Sequence, residues 1–418
     1  MTSDMRLRNW AGNITFGAQR LHRPTTMDEL QDLVVRTPRL RPLGTAHSFN
    51  RIADTDGDLV TVDALDHAIE IDEQTRVVDI PAGVRYGELA EVLHGRGWAL
   101  DNLGSLPHIS VAGACATGTH GSGVDNRCLA TAVVGADVVR GDGELVTSVA
   151  GDADFGGAVL ALGALGIATR LRLAIRPTFD LRQDVWLDAG LDAVLADLDA
   201  VLASGYSVSL FTDWRTPGRV DQVWIKSLTG TDPVDAARWG ARRATVAQHP
   251  IAGADAATAS AQLGAPGPWH HRLPHFRLEF TPSSGQEQQS EFFVARLDGA
   301  DAIAAVAALD LGPALLVSEI RAVAADDLWL SPFRDRASVA LHFTWVDDDA
   351  LVLDAVRRVE AALAPFDARP HWAKVFTATP EEVRGHYPRL REFADLAQRW
   401  DPERRLRNDF LQRFVYPV

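Results

Sequence analysis

Residues 41–50 read RPLGTAHSFN, in which a Pro-Leu-Gly-Thr turn is followed, after one alanine, by a histidine. Glycine allows a tight turn and a close approach of the backbone to a ligand, and such turns leave backbone N–H groups free to bind. His47 stands three residues after Gly44. Taken alone, a histidine in a turn is most often a packing residue. The rest of the chain must decide between packing, catalysis, metal binding and attachment of a cofactor.

Composition limits the class of protein. A chain of 418 residues, of which 46% are hydrophobic, predicts a globular protein with more than one domain. The net charge of −15 argues against a nucleic-acid partner, because phosphate binding needs a basic surface. Cys115 and Cys128 form neither a disulfide framework nor a zinc motif. Without an apolar leader or a membrane span in the sequence, we expect a cytoplasmic protein with no membrane partner.

Hydrophobic periodicity predicts an α+β fold with two domains and a returning C-terminal segment. Residues 1–176 are predicted to form the first domain, residues 177–370 a domain with an antiparallel sheet covered by helices, and residues 371–418 a segment that returns to the first domain. Predicted helices cover 27–37, 84–97, 191–205 and 349–366, and the tail at 387–408 is predicted to be a helix followed by a turn. Predicted strands cover 39–43, 59–65, 69–83, 162–177, 206–214, 318–327 and 337–346. A hairpin is predicted at 130–149 and an irregular region at 231–268.

A second turn-rich segment lies about 60 residues after the first. Residues 101–123, DNLGSLPHISVAGACATGTHGSG, combine glycines with serines and threonines. The segment is neither a Walker loop nor a GxGxxG fingerprint. One interpretation is a set of tight turns in a surface loop. The other is an anion site, and two such N–H-rich segments in one chain would suit the pyrophosphate of a dinucleotide.

Three motifs together resemble the FAD domain of the vanillyl-alcohol-oxidase-type flavoproteins. They are RPLGTAHSFN (41–50), SLPHISVAGACATGTHGSG (105–123) and LGALGIAT (162–169). The resemblance extends over essentially the whole chain and is greatest to the sugar-alcohol (alditol) oxidase branch, with the aldonolactone oxidases as cousins. The further segments that carry it are NWAGN (9–13), SVSLFTDW (207–214), PGPWHHRLPHFRLEFTPSSG (266–285), EIRAVAADDLWLSP (319–332), HFTW (342–345) and RPHWAKVF (369–376).

The resemblance implies a cofactor, FAD, attached by a single covalent bond from His47 to the flavin 8α-methyl group. Some members hold FAD through a second bond to a cysteine, but this chain has Ser105 at that place. The other residues implied at the cofactor are Arg41, Pro42, Leu43, Gly44, Thr45, Ala46, Ser48, Ser105, Ser110, Gly113, Ala114, Cys115, Ala116, Thr117, His120, Ile167 and Thr169.

Polar residues on predicted strands form the candidate substrate site. Glu319 and Arg321 share one face of a strand, as do His342 and Thr344 on the next strand, because side chains alternate with a period of two. One interpretation is a solvated face of a sheet. The other is the lining of a polyol pocket, where several fixed donors and acceptors meet the hydroxyl groups.

The resemblance gives these residues roles. Arg321 and Lys374 would be the catalytic groups that hold the C1 hydroxyl and stabilise developing negative charge. Ser105 and Glu319 would bind the next hydroxyl groups, and His342 and Thr344 would lie further along the substrate or support them. The group that takes the hydroxyl proton stays open, with Lys374 as a candidate if burial beside Arg321 lowers its pKa.

Other histidines are assigned supporting roles. His120 and His108 are alternative bases, but we interpret them as groups that brace the FAD loops. The histidines at 270, 271 and 275 crowd one loop, PWHHRLPHF. They lack acidic companions and paired spacing in the sequence, so we expect no metal.

The activity that the resemblance implies is oxidation of a terminal alcohol of xylitol or sorbitol, with O2 as the second substrate. In related lactone enzymes a small residue near the flavin controls access of O2, and Gly104 would leave this path open, which favours an oxidase that makes hydrogen peroxide over a dehydrogenase. An aldonolactone oxidase or dehydrogenase is the nearest alternative, and a non-catalytic flavin-binding protein is an alternative of another class. Nothing in the sequence requires more than a monomer.

Overall fold

The computed structural model describes residues 7–65, 68–280 and 287–416. Residues 281–285 of the predicted segment 266–285 and the two ends of the chain lie outside the described residues. The helices are α1 Met27–Arg36, α2 Tyr86–Gly95, α3 Val111–Ala116, α4 Phe155–Val159, α5 Leu191–Ala196, α6 Leu198–Leu202, α7 Gly299–Ala307, α8 Asp349–Leu363, α9 Pro380–Gly385, α10 Leu390–Trp400 and α11 Asp409–Phe414. No helix in this described part of the chain is both long and apolar enough to cross a membrane.

Strands contribute most of the framework. They are β1 Arg20–His22, β2 Leu40–Pro42, β3 Asp58–Val60, β4 Glu70–Asp72, β5 Val77–Pro81, β6 Trp98–Ala99, β7 Val133–Val139, β8 Leu145–Val149, β9 Ile167–Ala174, β10 Arg176–Pro177, β11 Asp180–Gly190, β12 Ser207–Thr212, β13 Arg219–Leu228, β14 Arg242–Arg243, β15 Gly267–Pro268, β16 Glu287–Ala295, β17 Leu315–Val323, β18 Ser338–Val346 and β19 Arg369–Pro370.

The first part of the chain forms three small sheets, one of which is the antiparallel pair of β6 and β10. Strands β1, β3 and β2 pair in parallel, and strands β4, β5, β9, β7 and β8 form an antiparallel sheet in that order. Helix α1 begins where the Thr26 side chain accepts a hydrogen bond from the Glu29 backbone N–H, and it buries Leu30 and Val34. Leu33, predicted on the same face, is half-buried. The predicted α+β character of this part is confirmed.

The second part contains a large antiparallel sheet. In the described residues it has nine strands, in the order β14-β11-β13-β12-β17-β18-β16-β19, with β15 added beside β11. Its two faces differ: Leu210, Ile320 and Leu341 belong to an apolar core shared with helices α5 to α8. The alternate residues of the same strands face the first part of the chain, and this arrangement positions the functional site.

The C-terminal segment returns to the first part of the chain. The backbone N–H of Leu40 donates to the carbonyl of Arg405 (2.8 Å), and that of Phe49 donates to Ala373 (2.7 Å). Helices α9 to α11 bury apolar side chains in the core that also holds strands β5, β7 and β9. The nine-stranded sheet lies within 180–370. The domain limits at 176 and 370 stay a prediction.

Several sequence predictions differ from the structure. The helix predicted over 191–205 is two short helices, because the chain changes direction at Asp197, whose φ of −129° is not helical. The strand predicted over 59–65 ends at Val60. The glycine-rich segment contains the short helix α3, and the region 231–268 contains the short strands β14 and β15. Strands β11, β13 and β16 and helix α11 were not predicted, because their mixed polar and apolar sequences have no clear period.

Candidate active site

One cavity of about 660 Å³ lies between the loops of the first part of the chain and the polar face of the nine-stranded sheet. All the predicted substrate residues line it, and so do all the predicted cofactor residues except Thr169. The Thr169 hydroxyl donates to the backbone carbonyl of Asp137 (3.2 Å) on the neighbouring strand, and its place at the cofactor stays a prediction. Cys115 contributes to the wall, but its sulfur lies 3.5 Å from the Tyr86 hydroxyl in the core.

The two turn-rich loops meet at one end of this cavity. The Ser110 backbone N–H donates to the Thr45 hydroxyl (3.3 Å), which joins the second loop to the first. A Cβ atom placed on Gly44 would lie 2.5 Å from the Ser110 hydroxyl, so a side chain here would displace that hydroxyl. Ala46 has a positive φ of 57°, and this turn directs the following residue, His47, into the cavity wall.

Arg41 holds this end of the cavity together. Its guanidinium donates to the backbone carbonyls of Ile52, Leu162, Gly163 and Leu406, at 2.7 to 2.9 Å. Burial lowers the pKa of Arg41 to about 10, and the group remains charged at neutral pH. Arg41 therefore fixes the loop that it begins by joining three separate parts of the chain.

His47 has no hydrogen-bond partner for its ring. Both ring nitrogens are buried and unpaired within the described residues. The Trp10 ring stacks on the imidazole with a centroid separation of 4.9 Å and an interplanar angle of 20°. Burial lowers the pKa of His47 to about 4, so the imidazole is neutral at neutral pH and keeps one unprotonated nitrogen. A neutral, held imidazole with a free nitrogen can act as a nucleophile or ligand.

The nine-stranded sheet places polar side chains in a row across three strands, β17, β18 and β16. Glu319 pairs with His342, and His342 pairs with Glu291. Glu319 and Arg321 are each 4% exposed, and His342 and Thr344 are 8% and 6% exposed. The interpretation of these residues as a solvated sheet face is therefore wrong, since the face is covered by the loops of the first part of the chain.

Glu291 is the centre of the charged groups and was missed by the sequence analysis. One carboxylate oxygen, Oε1, lies 2.6 Å from Nη2 of Arg321 and 3.1 Å from Nε2 of His120, and the other, Oε2, lies 2.8 Å from Nζ of Lys374. Burial alone would raise the pKa of Glu291, but the charges of Lys374, His120 and Arg321 hold it well below its ordinary value. The alternation of polar residues Glu287, Gln289 and Glu291 was the signal in the sequence.

Lys374 reaches the same site from the C-terminal segment. The Asn50 side chain donates to the carbonyls of Trp372 and Lys374, each at 2.8 Å, so the loop that carries His47 also holds the lysine backbone. Burial lowers the pKa of Lys374, as does the charge of Arg321, and Glu291 opposes both. The condition set for Lys374 as a proton acceptor, a lowered pKa beside Arg321, is met.

A buried chain of polar groups supports Glu319 from behind. The Nε2 atom of His275 lies 2.7 Å from Oε1 of Glu319, and Nδ1 of the same ring lies 3.2 Å from Nζ of Lys226. Burial alone would raise the pKa of Glu319, but Arg321 and His275 lower it. Burial lowers the pKa of Lys226 to about 7. Ser105 completes this wall by accepting a hydrogen bond from Arg321 (3.3 Å).

The remaining histidines divide into bracing groups and one surface cluster. His120 contacts Glu291, and Nε2 of His108 lies 2.8 Å from the carbonyl of Leu278, outside the cavity lining. The sequence predicts no acidic companions for the histidines at 270, 271 and 275, and the structure corrects this prediction. Glu91 meets the first two of them and Glu319 meets the third.

The residues present fit an FAD molecule. The cavity volume lies within the range of about 300–1,000 Å³ that is usual for ligands and cofactors. The Ser110 hydroxyl and both nitrogens of His47 are buried without partners at the loops, which leaves polar atoms for a ligand. The glycine at 44 keeps backbone close to the same place. These features fit an anionic dinucleotide that the loops would hold, and such a group would supply redox chemistry in the cavity.

Family comparisons agree with this fit. A family model for an FAD binding domain matches residues 18–148, and a model for D-arabinono-1,4-lactone oxidase matches residues 313–414. The fold is similar to that of a solvent-stable cholesterol oxidase, with a TM-score of 0.80, 15% identity and coverage of 98% of this chain and 97% of the other. Cholesterol oxidase from B. sterolicum gives a TM-score of 0.77, with 14% identity and coverage of 98% and 96%. These two likenesses show the fold.

Three relatives match this chain over nearly its full length and over nearly their own. The alditol oxidase of a Streptomyces species is 50% identical over 97% of each chain. The L-gulono-1,4-lactone dehydrogenase of Mycobacterium tuberculosis is 27% identical over 98% of this chain and 99% of its own. The L-gulonolactone oxidase of Mus musculus is 24% identical over 99% and 98%.

Fold, cavity and family models define the class of the protein, a vanillyl-alcohol-oxidase-type flavoprotein that binds FAD. Identity of 50% along nearly the whole chain then narrows the class. The chain belongs to the alditol oxidase family.

Proposed function

We propose that the protein is an FAD-dependent oxidase that converts the terminal primary alcohol of an alditol, such as xylitol or sorbitol, to the aldehyde and reduces O2 to hydrogen peroxide. The observation that carries this proposal is the convergence of Arg321, Lys374 and Glu319 on one wall of the FAD cavity. The similarity to a full-length alditol oxidase supports the choice of substrate.

The wall is suited to a polyol. A carboxylate accepts hydrogen bonds from hydroxyl groups, and a guanidinium or ammonium donates to them. Glu319 uses one oxygen for His275, which leaves acceptor capacity for a hydroxyl group. His342 and Thr344 lie further along the same face, beside Gln289. Because each buried polar group left without a partner costs roughly 1–3 kcal/mol, the site should reject a substrate that lacks these hydroxyl groups.

Arg321 and Lys374 act on the C1 hydroxyl. Arg321 is fixed by Glu291 and carries a charge that stabilises negative charge developing on the C1 oxygen. Lys374, whose pKa is lowered by burial, takes the hydroxyl proton on Nζ when it is in the neutral amine form. FAD, when bound, supplies the hydride acceptor and the site of reaction with O2. Closure of the cavity by the loops excludes water from these groups.

His47 is the proposed attachment point of the cofactor, through one covalent bond. Its unpaired nitrogens and neutral state support this role. Ser105 stands at the place where some relatives carry a second linking cysteine, and its hydroxyl is bound to Arg321 instead. Ser105 is therefore assigned to the substrate.

An aldonolactone is the second candidate substrate, because the D-arabinono-1,4-lactone oxidase model matches the segment that contains Arg321 and Lys374. The lactone relatives are only 27% and 24% identical, against 50% for the alditol oxidase. A non-catalytic flavin-binding protein would not need three buried charged groups beside the FAD cavity, since burial of charge is costly.

The test is anaerobic mixing of the yellow holoenzyme with xylitol, sorbitol, or L-gulono-1,4-lactone. We expect bleaching of the flavin absorbance with the alditols, rapid recovery on admission of air, and one hydrogen peroxide per aldose. Faster bleaching by the lactone would contradict the substrate assignment. Reduced enzyme that persists in air for minutes but discharges to a dye would contradict the oxidase assignment.

The wider setting of the protein is also a proposal. We infer a monomer in the cytoplasm that needs only a polyol and O2 as partners. Light scattering of the holoenzyme measures the mass directly, and fractionation of the source cells locates the protein. A stable dimer, or recovery in the culture medium, would contradict the respective inference.

A further inference from the structure

Three potential metal ligands meet outside the cavity. Glu91 lies on helix α2, and His270 and His271 form part of the turn Trp269–His271. Oε1 of Glu91 lies 3.3 Å from Nε2 of His270 and 3.0 Å from Nε2 of His271. All three ligand atoms lie within 4.8 Å of one another. Ligand atoms about 2.0–2.1 Å from a tetrahedral ion are separated by a little over 3 Å, so the two distances from Glu91 fit such an ion, and the two imidazoles would move to reach the same spacing.

His270 gives an independent sign that a ligand is required. Its side chain is 3% exposed, and neither ring nitrogen has a partner with hydrogen-bond geometry within the described residues. A buried imidazole without partners is costly, and coordination of Nε2 removes part of that cost. The neighbouring His94 ring lies 4.6 Å away, but only Glu91, His270 and His271 bring their ligand atoms together among the described residues.

The other two groups leave room for an ion to enter. The side chains of Glu91 and His271 are 50% and 46% exposed. An ion at this place would therefore keep at least one position for water, as sites with three protein ligands do. Two imidazoles and one carboxylate favour zinc over calcium or magnesium, which prefer oxygen ligands.

We propose that Glu91, His270 and His271 form a zinc site that joins helix α2 to the turn before His275. The segment that follows this turn connects the proposed zinc site to the cavity. The backbone N–H of His275 donates to the carbonyl of Ser105 (3.2 Å), and its ring contacts Glu319. An ion that fixes His271 thus fixes a segment that ends at the wall of the cavity. Zinc binding itself does not depend on the proposed activity.

The experiment is titration of chelator-treated holoenzyme with ZnCl2, followed by calorimetry and by thermal unfolding. We expect one Zn²⁺ per chain and a rise in Tm, because an ion that binds only the folded state stabilises it. The variants Glu91→Gln and His271→Asn should bind Zn²⁺ at least about tenfold more weakly and lose the rise in Tm. Flavin absorbance, measured before zinc is added, verifies that each variant is folded.

The matched control is His22→Asn. Nε2 of His22 lies 2.7 Å from Asp58, but this pair has no second histidine, so its loss should leave the zinc affinity unchanged. Absence of binding to the unmodified holoenzyme would overturn the proposal. Equal binding by the Glu91 and His271 variants would also overturn it, because the ion would then be bound elsewhere.

Discussion

Lys226 Nζ lies 3.2 Å from Nδ1 of His275, whose Nε2 faces the Glu319 carboxylate. Arg321 and His275 lower the pKa of Glu319 despite its burial, and an ionised carboxylate can only accept. Nε2 of the neutral ring therefore carries the proton, and Nδ1 accepts from Lys226. That proton points to Oε1 of Glu319, 2.7 Å away. Lys226 does not line the cavity, and it acts as a positioning residue for Glu319.

Replacement of Lys226 by Met should therefore raise KM for xylitol more than it lowers kcat. The loss of a hydrogen bond from a charged group costs about 1.5–3 kcal/mol, which corresponds to about 10–100-fold in KM. Steady-state kinetics with the holoenzyme measures both constants. A fall of about 10–100-fold in kcat, with KM unchanged, would contradict the positioning role. Ser209→Ala is the control, because its hydroxyl lies only at 3.5 Å from the same histidine ring.

Lys226 also predicts a dependence on pH. The three N–H bonds of the ammonium group match the acceptors at Leu273, Pro274 and His275, whereas the neutral amine has two. Since burial lowers the pKa of Lys226 to about 7, KM should rise with pH above that value. The unfolded chain binds the extra proton between pH 7 and 10.5, so the free energy of unfolding should also rise with pH there. Both trends should be absent in Lys226→Met.

Lys374 predicts a second pH effect, on kcat. Because the neutral amine accepts the proton, kcat should rise with pH through the lowered pKa of Lys374. Lys374→Met should lower kcat by about 10²–10⁴-fold and remove this rise. Glu291→Gln removes a negative charge that raises the pKa of Lys374, so the rise should move to lower pH. Stopped-flow flavin reduction across pH measures all three profiles.

The control for Glu291→Gln separates the charge effect from general destabilisation. Breaking a buried ion pair costs about 3–5 kcal/mol, so the variant will also unfold at a lower temperature. Glu360 is a partly buried carboxylate that accepts from the backbone of Thr377 and Ala378, away from the cavity. Glu360→Gln should lower Tm without moving the kinetic pKa. A shift of that pKa to higher pH in Glu291→Gln would sink the proposed role.

His47→Ala should lose the covalent link to FAD while keeping the fold. We expect the flavin to remain in solution after acid precipitation, whereas it should precipitate with the unmodified polypeptide. His108→Asn is the control, because this histidine is near the same loops but does not line the cavity. Flavin that still precipitates with the His47→Ala polypeptide would show that another residue forms the bond.

Gly104→Ala should slow the reaction with O2 more than the reaction with xylitol. A Cβ atom at Gly104 would lie 3.6 Å from Cγ2 of Thr119, an ordinary contact that the fold can accept. It would also occupy space beside the cavity. The measurement is the rate of oxygen consumption divided by the rate of dye reduction, both with xylitol and in the same preparation. An unchanged ratio would show that O2 takes another path, and Gly95→Ala, where a Cβ meets nothing within 4 Å, is the control.

Local patterns were sufficient for part of the fold and site. The spacing of Leu30 and Val34 predicted helix α1, and the Gly141-Asp142-Gly143 turn predicted the hairpin of β7 and β8. The cofactor loops were predicted because glycine turns and a resemblance between motifs are both local. The alternation of Glu319 and Arg321 predicted that the two side chains share a face, but left open whether that face is solvated.

By itself, the sequence determined the α+β composition, since turns and periodicity depend on neighbouring residues. The resemblance of its motifs to a known family implied the FAD-binding class and most of the side chains in the cavity. Tertiary structure alone decided which distant groups meet. Glu291, Lys374 and His120 come from three separate segments, and only the pairing of strands and the return of the C-terminus bring Lys374 and His120 within 3.1 Å of the Glu291 carboxylate. The same is true of His275, whose ring contacts Lys226 and Glu319, which lie 49 and 44 positions away in the sequence.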